Sequence, residues 1–324
     1  MFGNGRKTIG VFITQVHQEF QEVLSKGICK RAEELGYNVA FFANFLGYGE
    51  FQYEIGERSI ALLPRYQDLD GIIILPDTMF VQDFDKCIRD HIAKYANCPV
   101  VSVRQEIKDY YNVLIDDSSV LDKIIHHFIE DHGYRKINFL ERGISVPEDV
   151  AVSGCDNIAI TEDFSPTITT AGMPVFEMGI EAVDKIFRHN NQIHQEKNSI
   201  LSTVTSIRES CGCELVGTRD ALTNRRNRII KELESKDKAI SNNAFMSVEL
   251  TSIKTIEELD RRLASYTYMN ENFASFYMCL YKNWKMLGEE DNTGVNLTRD
   301  MIMEVGIKNG EWLQSQEFKR PQLL

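Results

Sequence analysis

The chain has 324 residues, which is enough for about two domains that each bury a core. Hydrophobic residues make up 43% of it and charged residues 26%, a composition that excludes a disordered or collagen-like protein. Its 48 acidic and 36 basic residues give a net charge of -12, which disfavours sequence-independent attraction to nucleic-acid phosphates. Seven scattered cysteines fit reduced thiols in a cytoplasm better than a disulfide framework.

The N-terminal segment predicts neither a signal peptide nor a membrane anchor. Its first apolar stretch ends before Gln15 and has no small-residue cleavage site, so we expect it to be uncleaved. The most continuous apolar run, at 71–76, is far shorter than the roughly 20 residues that span a bilayer. We therefore expect a cytoplasmic protein with no membrane partner.

Short β-branched runs alternate with helix-period stretches over the first 140 residues, a pattern typical of βαβ units and a parallel sheet. We expect helices from about Gln18 to Gly36, around Ile60, after the third strand, and from Asp117 to His132. The predicted strands are Thr8–Thr14, Asn38–Asn44, Gly71–Leu75, Cys98–Val103, Asn112–Ile115 and Ile137–Leu140.

Polar residues that directly follow the strands are the first candidates for ligand binding. In open α/β sheets, ligands bind beyond the carboxyl ends of the strands. The alternative is that these are ordinary polar loop residues. Asp116 and Asp117 are adjacent, and successive side chains on extended backbone point to opposite faces. We therefore do not expect these two carboxylates to act as an acid/base pair. The candidates are Gln15, Gln18, Asp77, Arg104, Asp116 and Asp117.

The segment from Gly143 to Ile186 carries a specific resemblance. It contains VPEDVAV, GCDNI, SPTITT and a PVFEMG helix start in one order. In these motifs it resembles the ligand-sensing domain of the LacI/GalR repressor family, which is related to periplasmic sugar-binding proteins. Earlier strands match in the same order, so the resemblance covers about residues 7 to 207.

This resemblance implies an α/β fold of two doubly wound parallel-sheet lobes, joined by a hinge, with a small ligand in the cleft. The ligand expected is a sugar or a nucleobase-like molecule, and we expect the protein to be a homodimer. Asp156 of the GCDNI element matches the family aspartate that accepts hydrogen bonds from ligand hydroxyls, and Asn157 follows it. The alternative is that both residues only shape a turn.

Three features depart from the family pattern. Only seven residues precede the first strand, so the DNA-binding headpiece is absent and DNA contact is expected only through a headpiece outside this chain. The second lobe lacks roughly 60 to 80 residues at about 30 per βαβ unit, which indicates a stripped lobe or an internal deletion. Asp122 stands where the family usually has a polyol-binding arginine, so sugar specificity does not carry over.

We expect no metal and no cofactor. His126, His127 and His132 are close in sequence but lack the H-E-x-x-H spacing, and we expect them to be structural or solvated. Cys211 and Cys213 are separated by one residue rather than two, and no partner pair follows. Phosphate-binding and hydrolase motifs are missing, so the chain is not expected to be an enzyme.

The sequence predicts three parts: a sensing domain at 1–210, a linker helix at 211–245 and a partial module at 246–324. Within the first part, we expect an N-lobe at about 7–116 and a shortened C-lobe at about 117–207. The linker carries an apolar heptad seam between Leu215 and Ile240 that could join two copies. The last part resembles the start of a GAF-like module that precedes a diguanylate cyclase domain, and its end looks like a truncation.

These features together predict the carbohydrate-sensing module of a LacI/GalR-type transcriptional regulator or a related signalling protein, in which ligand binding changes the hinge. Two alternatives stay open at this point. The chain could be the sensor part of a diguanylate cyclase whose catalytic domain is absent, or a free-standing sugar-binding protein.

Overall fold

The computed structural model describes residues 5–16, 18–44, 59–79, 84–134, 145–213, 230, 231, 233, 242, 244–246, 248–266, 275–283, 300–308 and 311–319. The chain divides into two compact units, Met1–Gly217 and Thr218–Leu324. Among the described residues, no helix is both long and apolar enough to span a membrane.

The first unit contains nine strands and four α-helices among its described residues. In chain order they are β1 (Thr8–Thr14), α1 (Glu19–Glu34), β2 (Asn38–Asn44), β3 (Gly71–Ile74), α2 (Phe84–Tyr95), β4 (Val100–Val103), β5 (Tyr111–Ile115), α3 (Asp117–His126), β6 (Ser153–Cys155), β7 (Thr169–Gly172), α4 (Val175–Asn190), β8 (Asn198–Leu201) and β9 (Val204–Ser206).

Six strands form one parallel sheet in the order β2-β1-β3-β4-β5-β8. This confirms the predicted α/β class, and β1 and β2 have the predicted bounds. Strands β1, β3 and β4 are buried at every position, as their continuous apolar runs require for a sheet covered on both faces. Helix α1 ends before Gly36, whose φ of +73° is the left-handed conformation that the sequence predicted for this cap.

Helices α1 and α4 pack closely against each other over this sheet. A Cβ atom at Gly27 would lie 2.2 Å from the Phe176 carbonyl oxygen, and one at Gly179 would lie 2.4 Å from the Leu24 carbonyl oxygen. Glycine at both positions therefore allows the two backbones to approach. The core beneath them consists of Ile9, Val11, Ile13, Leu24, Ile28, Ala32, Tyr37, Ile73, Leu75, Val101, Val103, Val113, Met178, Ala182, Val183 and Ile186.

The second sheet of the first unit is small, with the strand order β6-β7-β9. Strands β6 and β7 are parallel, and β9 is antiparallel to β7. Helix α3 contacts β7 and β9. The described apolar core between α3 and the small sheet consists of Ile124 and Ala171, with Phe128 packed beside them.

The chain crosses between the two sheets three times. Asp116 connects β5 to α3, residues 173–174 connect β7 to α4, and residues 202–203 connect β8 to β9. Helix α4 and strand β8 therefore belong with the large sheet, whereas the prediction from the sequence assigned residues 117–207 to the C-lobe. The physical reason is that their apolar faces complete the core of the large sheet, a long-range pairing that local patterns do not encode.

Local structure differs from prediction at several places. The segment around Ile60 forms short 3₁₀ turns, Ser59–Leu62 and Tyr66–Asp68, instead of a helix. Helix α3 continues as a π-helical turn, His127–Asp131. The VPEDVAV motif, which the resemblance implies to be a strand, forms a turn over Val146–Asp149, and the strand β6 starts only at Ser153. The predicted strand Ile137–Leu140 lies outside the described residues.

The second unit contains helix α5 (Ile256–Ser265) and strands β10 (Ser275–Tyr281), β11 (Asp300–Lys308), β12 (Glu311–Leu313) and β13 (Gln316–Lys319). Its sheet is antiparallel, and β11 pairs with the other three strands. The sequence predicts a helix over Thr255–Tyr266 and strands over Phe273–Tyr281 and Met301–Ile307. All three elements are present, whereas β12 and β13 were not predicted. Most of the predicted linker helix lies outside the described residues. The GAF-like assignment stays a prediction.

Candidate functional site

Left-handed backbone marks the ends of several strands. Five non-glycine residues have positive φ in the described part of the chain, and four of them are predicted ligand residues. Such conformations cost about 1–3 kcal/mol each and cluster at binding sites, where the surrounding structure maintains them. The four φ values are +50° at Gln15, +69° at Arg104, +73° at Asp156 and +48° at Asn157.

Gln15 lies directly after β1, where the strand order of the large sheet reverses. Its backbone N–H donates to the Asn44 carbonyl oxygen at 2.7 Å, and its own carbonyl accepts from the Gln18 N–H at 2.9 Å. These bonds hold the turn between β1 and α1. The side chain of Gln15 is half-buried, and that of Gln18 is exposed. Both predicted residues therefore lie at the topological switch point of this sheet.

Asp77 and Arg104, which follow β3 and β4, form an ion pair at the same edge. The Arg104 Nε atom is 3.1 Å from Asp77 Oδ2, and the guanidinium lies 5.0 Å from the centre of the Phe20 ring. Burial raises the pKa of Asp77, and the charge of Arg104 offsets this only in part. Asp77 Oδ1 is buried and has no hydrogen-bond partner among the described residues.

Asn44, the last residue of β2, is not among the ligand-binding residues that the sequence predicted. It is 2% exposed, and neither polar atom of its amide has a hydrogen-bond partner among the described residues. Buried polar groups are normally paired, so an unpaired amide at a strand end indicates a place for a polar ligand. The signal available was an asparagine that ends a predicted strand, beside Thr14 at the end of β1.

Asp116 and Asp117 lie at the crossover from the large sheet to α3. The Asp116 N–H donates to the Leu201 carbonyl oxygen at 3.3 Å, which ties two crossover strands together. Asp117 is the first residue of α3. The backbone of Asp116 is thus part of the connection between the two sheets, a role that the sequence did not assign to it.

Asp156 and Asn157 follow β6 of the small sheet, and the structure separates their roles. The Asn157 amide oxygen accepts a hydrogen bond from Arg208 Nη2 at 2.8 Å, and its N–H donates to Thr170 Oγ1 at 3.2 Å. A Cβ on Gly172 would lie 2.9 Å from the Asn157 Cβ. Asn157 is therefore engaged in packing, which favours the turn-shaping alternative. Asp156 is exposed.

A second group of side chains lies at the other end of the small sheet. The ligand atoms of His127, His132, Cys211 and Cys213 all lie within 4.8 Å of one another. In the sequence, the histidines and the cysteines were two separate candidate metal sites. The structure brings them together. Local spacing does not reveal this, because His127 and Cys211 are 84 residues apart. We call these four residues the His-Cys cluster.

Titration of the His-Cys cluster reflects its mutual contacts. Burial lowers the pKa of His127, but hydrogen bonds to Cys211 and Asp131 outweigh this and hold the pKa above its usual value. Burial raises the pKa of Cys211, but hydrogen bonds from Thr169, His127 and Cys213 outweigh it and lower the pKa. Two imidazoles and two thiols are also a ligand set that holds metal ions.

Comparisons with known proteins find one family match and several similar proteins. Residues 138–211 match the family described as a periplasmic binding protein-like domain. The operon regulator NtdR of Bacillus subtilis is 51% identical over 47 residues, 14% of each chain. The transcriptional repressor PurR of Vibrio atlanticus is 39% identical over 57 residues, 18% of this chain and 17% of that protein.

Among solved structures, the regulator CcpA from Weissella paramesenteroides with bound glucose is similar, with a TM-score of 0.47 at 13% identity. The similarity covers 63% of this chain and 98% of that one. The curated relatives are matched over less than a fifth of their own length. The family match includes Asp156 and Asn157, and it ends at Cys211.

Proposed function

We propose that the first unit is a sensor of the LacI/GalR type, which binds a small polyhydroxylated molecule between its two sheets. The observation that carries the proposal is the left-handed backbone at the strand ends of both sheets, at Gln15, Arg104 and Asp156. Strained residues that face the carboxyl ends of parallel strands are typical of ligand sites in open α/β sheets. The unpaired amide of Asn44 and the unpaired Oδ1 of Asp77 support it.

Carbohydrate hydroxyls both donate and accept hydrogen bonds. Asp77 and Asp156 offer acceptors, Arg104 offers donors, and Asn44 offers both. The Phe20 ring beside Arg104 adds an apolar surface for the face of a sugar ring or a nucleobase. Because Arg104 pairs with Asp77, we propose an uncharged ligand whose hydroxyls donate to the Asp156 carboxylate.

The signal in this proposal is a change in the angle between the two sheets. Three short connections join them, and Asp116 bonds to Leu201 across two of them. A ligand that contacts both sheets binds the closed arrangement more tightly than the open one, and that difference in affinity shifts the equilibrium. No covalent chemistry is required, so we propose a binding protein rather than an enzyme.

We further propose that the protein is a cytoplasmic homodimer that controls transcription through a DNA-binding segment. The family relation of the matched segment to transcriptional regulators supports this output. Control of a diguanylate cyclase is the alternative output, and it rests on the resemblance of residues 246–324 alone.

The test is a thermal-unfolding screen of the protein with hexoses, pentoses, polyols and purine nucleobases. At 100 times its Kd, a ligand stabilises the folded protein by about 2.7 kcal/mol, a readily measured rise in Tm. We expect Asp156→Ala and Asp77→Asn to abolish that rise and to leave the ligand-free Tm within a few degrees.

Asp109→Asn is the matched control, because Asp109 is exposed in the turn before β5, at the opposite edge of the large sheet. It should respond to ligand as the unaltered protein does. An equal ligand-induced rise in Tm in Asp156→Ala, Asp77→Asn and Asp109→Asn would disprove the proposed site.

A further inference from the structure

We propose that the His-Cys cluster is a tetrahedral zinc site. It is separate from the proposed ligand site and does not depend on it. The four ligands come from two segments, His127 and His132 at the end of α3 and Cys211 and Cys213 after β9. Zinc bound there would join the start of the small-sheet region to its end.

The distances between ligand atoms match those around a zinc ion. Zinc bonds of about 2.0–2.1 Å to nitrogen and about 2.3 Å to sulfur place tetrahedral ligand atoms roughly 3.3–3.8 Å apart. His127 Nε2 lies 3.1 Å from His132 Nε2, 3.5 Å from Cys211 Sγ and 3.7 Å from Cys213 Sγ. His132 Nε2 lies 3.3 Å from Cys213 Sγ. All four ligand atoms lie within 4.8 Å of one another, so Cys211 Sγ would have to approach His132 and Cys213 by up to about 1 Å to complete the coordination.

The π-helical turn after α3 explains how the two imidazoles meet. In an α-helix, residues five apart lie about 140° apart around the axis, so their side chains diverge. A π turn bonds residue i to residue i+5 and brings such residues onto one face, and these turns are frequent at functional sites. His127 opens this turn and His132 directly follows it. The two rings meet edge to face at 4.8 Å.

Contacts behind the ligands hold them in the orientation that metal binding needs. The Nδ1 atom of His127 is 2.6 Å from Asp131 Oδ2, which leaves Nε2 directed at the cluster. A carboxylate on the outer nitrogen of a ligand histidine is the usual arrangement at zinc sites. The ring of Tyr134 stacks on His132 at 5.5 Å, and its hydroxyl donates to the Cys211 carbonyl oxygen at 3.3 Å.

Gly212 allows both flanking cysteines to face the cluster. Its φ is +94°, a left-handed conformation that other residues rarely adopt, and a Cβ there would lie 3.2 Å from the Tyr134 hydroxyl. Without metal, the Cys211 thiol donates to the Arg208 carbonyl oxygen at 3.0 Å. Metal binding would release that proton, because zinc takes the thiolate.

Zinc is the ion that this set favours. Two sulfur and two nitrogen ligands in tetrahedral arrangement select zinc over magnesium or calcium, which take oxygen ligands. Four protein ligands leave no open position, which is typical of a structural site rather than a catalytic one. Small lobes with little apolar core commonly rely on such a site for stability.

The test is the zinc content of the full chain, purified under reducing conditions from cells supplied with zinc. We expect about one zinc per chain in the unaltered protein. Replacement by cobalt should give thiolate-to-cobalt charge-transfer bands and the strong visible bands of a tetrahedral ion. Cys211→Ser and His127→Gln should lose the bound zinc, and Asp131→Ala should weaken zinc affinity about 10- to 100-fold.

Matched controls are His126→Gln, the exposed neighbour of His127, and Cys29→Ser, an exposed thiol on α1. Both should keep one zinc. Zinc retained equally by Cys211→Ser would mean binding elsewhere on the chain and would overturn the proposal. Should the variants fail to fold, the cobalt spectrum of the unaltered protein decides, and absence of thiolate charge-transfer bands rejects the site.

Discussion

The two sheets of the first unit are stabilised in different ways. The large sheet buries an apolar cluster of sixteen described residues, whereas the small sheet buries two, Ile124 and Ala171. In place of apolar contacts, the small sheet has a network centred on Arg208 and the His-Cys cluster. Because hydrophobic burial supplies most folding free energy, the small sheet depends on directional contacts and, in our proposal, on a metal.

The largest expected effect distinguishes the two cores directly. Ile73 is fully buried at the centre of the large sheet, and Ile73→Ala should lower the free energy of unfolding by about 2–5 kcal/mol. Ile124→Ala, in the helix α3 that packs on the small sheet, should cost less than half as much, because few apolar partners surround that side chain. Urea unfolding measures both changes. Equal losses would contradict the contrast between the two cores.

An intermediate effect is expected from Arg208, the centre of the small-sheet network. Its guanidinium donates to the Ile168 carbonyl at 2.8 Å and to Asn157 Oδ1 at 2.8 Å, and it pairs with Glu162 at 3.1 Å. Arg208→Ala leaves these acceptors unpaired and should cost about 1–3 kcal/mol.

Amide hydrogen exchange shows where the Arg208→Ala variant loses stability. Exchange should become faster in β7 and β9 but not in β1 or β3. Arg208→Lys retains the charge without the planar fork of donors, so it should recover only part of the stability. Faster exchange throughout the large sheet would show that the two regions unfold as one.

The smallest effect concerns a charge pair beside the large sheet. Arg188 bonds to both oxygens of Glu181 at 2.9 and 3.1 Å, and Ser199 Oγ donates to Glu181 at 2.7 Å. Burial raises the pKa of Glu181, but these bonds outweigh it and hold the pKa below its usual value. The stabilisation is therefore present above the ordinary glutamate pKa and is lost as pH falls through the lowered one.

Glu181→Gln should lower stability near neutral pH by less than about 1 kcal/mol, and the difference should disappear in acid. Thermal unfolding between neutral and acidic pH measures it. Glu177→Gln, an exposed change on the same helix, is the control and should leave the pH profile unaltered. If the stability difference between Glu181→Gln and the unaltered protein grew in acid, the pKa of Glu181 would be raised in the folded protein rather than lowered.

The local parts of this fold follow from its sequence. Short apolar runs predicted β1 and β2 to the residue, and Gly36 predicted the end of α1. The strand-end rule also selected Gln15 and Arg104, and the family resemblance selected Asp156, and all three have left-handed backbone. These are local signals, in which the type of a residue and its position after a strand suffice.

The non-local parts could not be predicted. Joining α4 and β8 to the large sheet requires knowing which apolar face each one completes, across a separate region of chain. The His-Cys cluster requires the π turn at His127, and nothing in the helix-period pattern signals the change from α to π. Asn44 was missed because its burial without a partner is a property of the packed molecule.

The order of elements along the chain has a consequence during synthesis. Strands β1 to β5 are complete at Ile115, but α4, which covers them, ends at Asn190, and β8 ends at Leu201. At about 5–20 residues per second, the ribosome needs roughly 4–17 s to make the intervening chain. During that interval the nascent sheet presents an uncovered apolar face and an open edge, which makes it a natural client for chaperones that act at the ribosome exit.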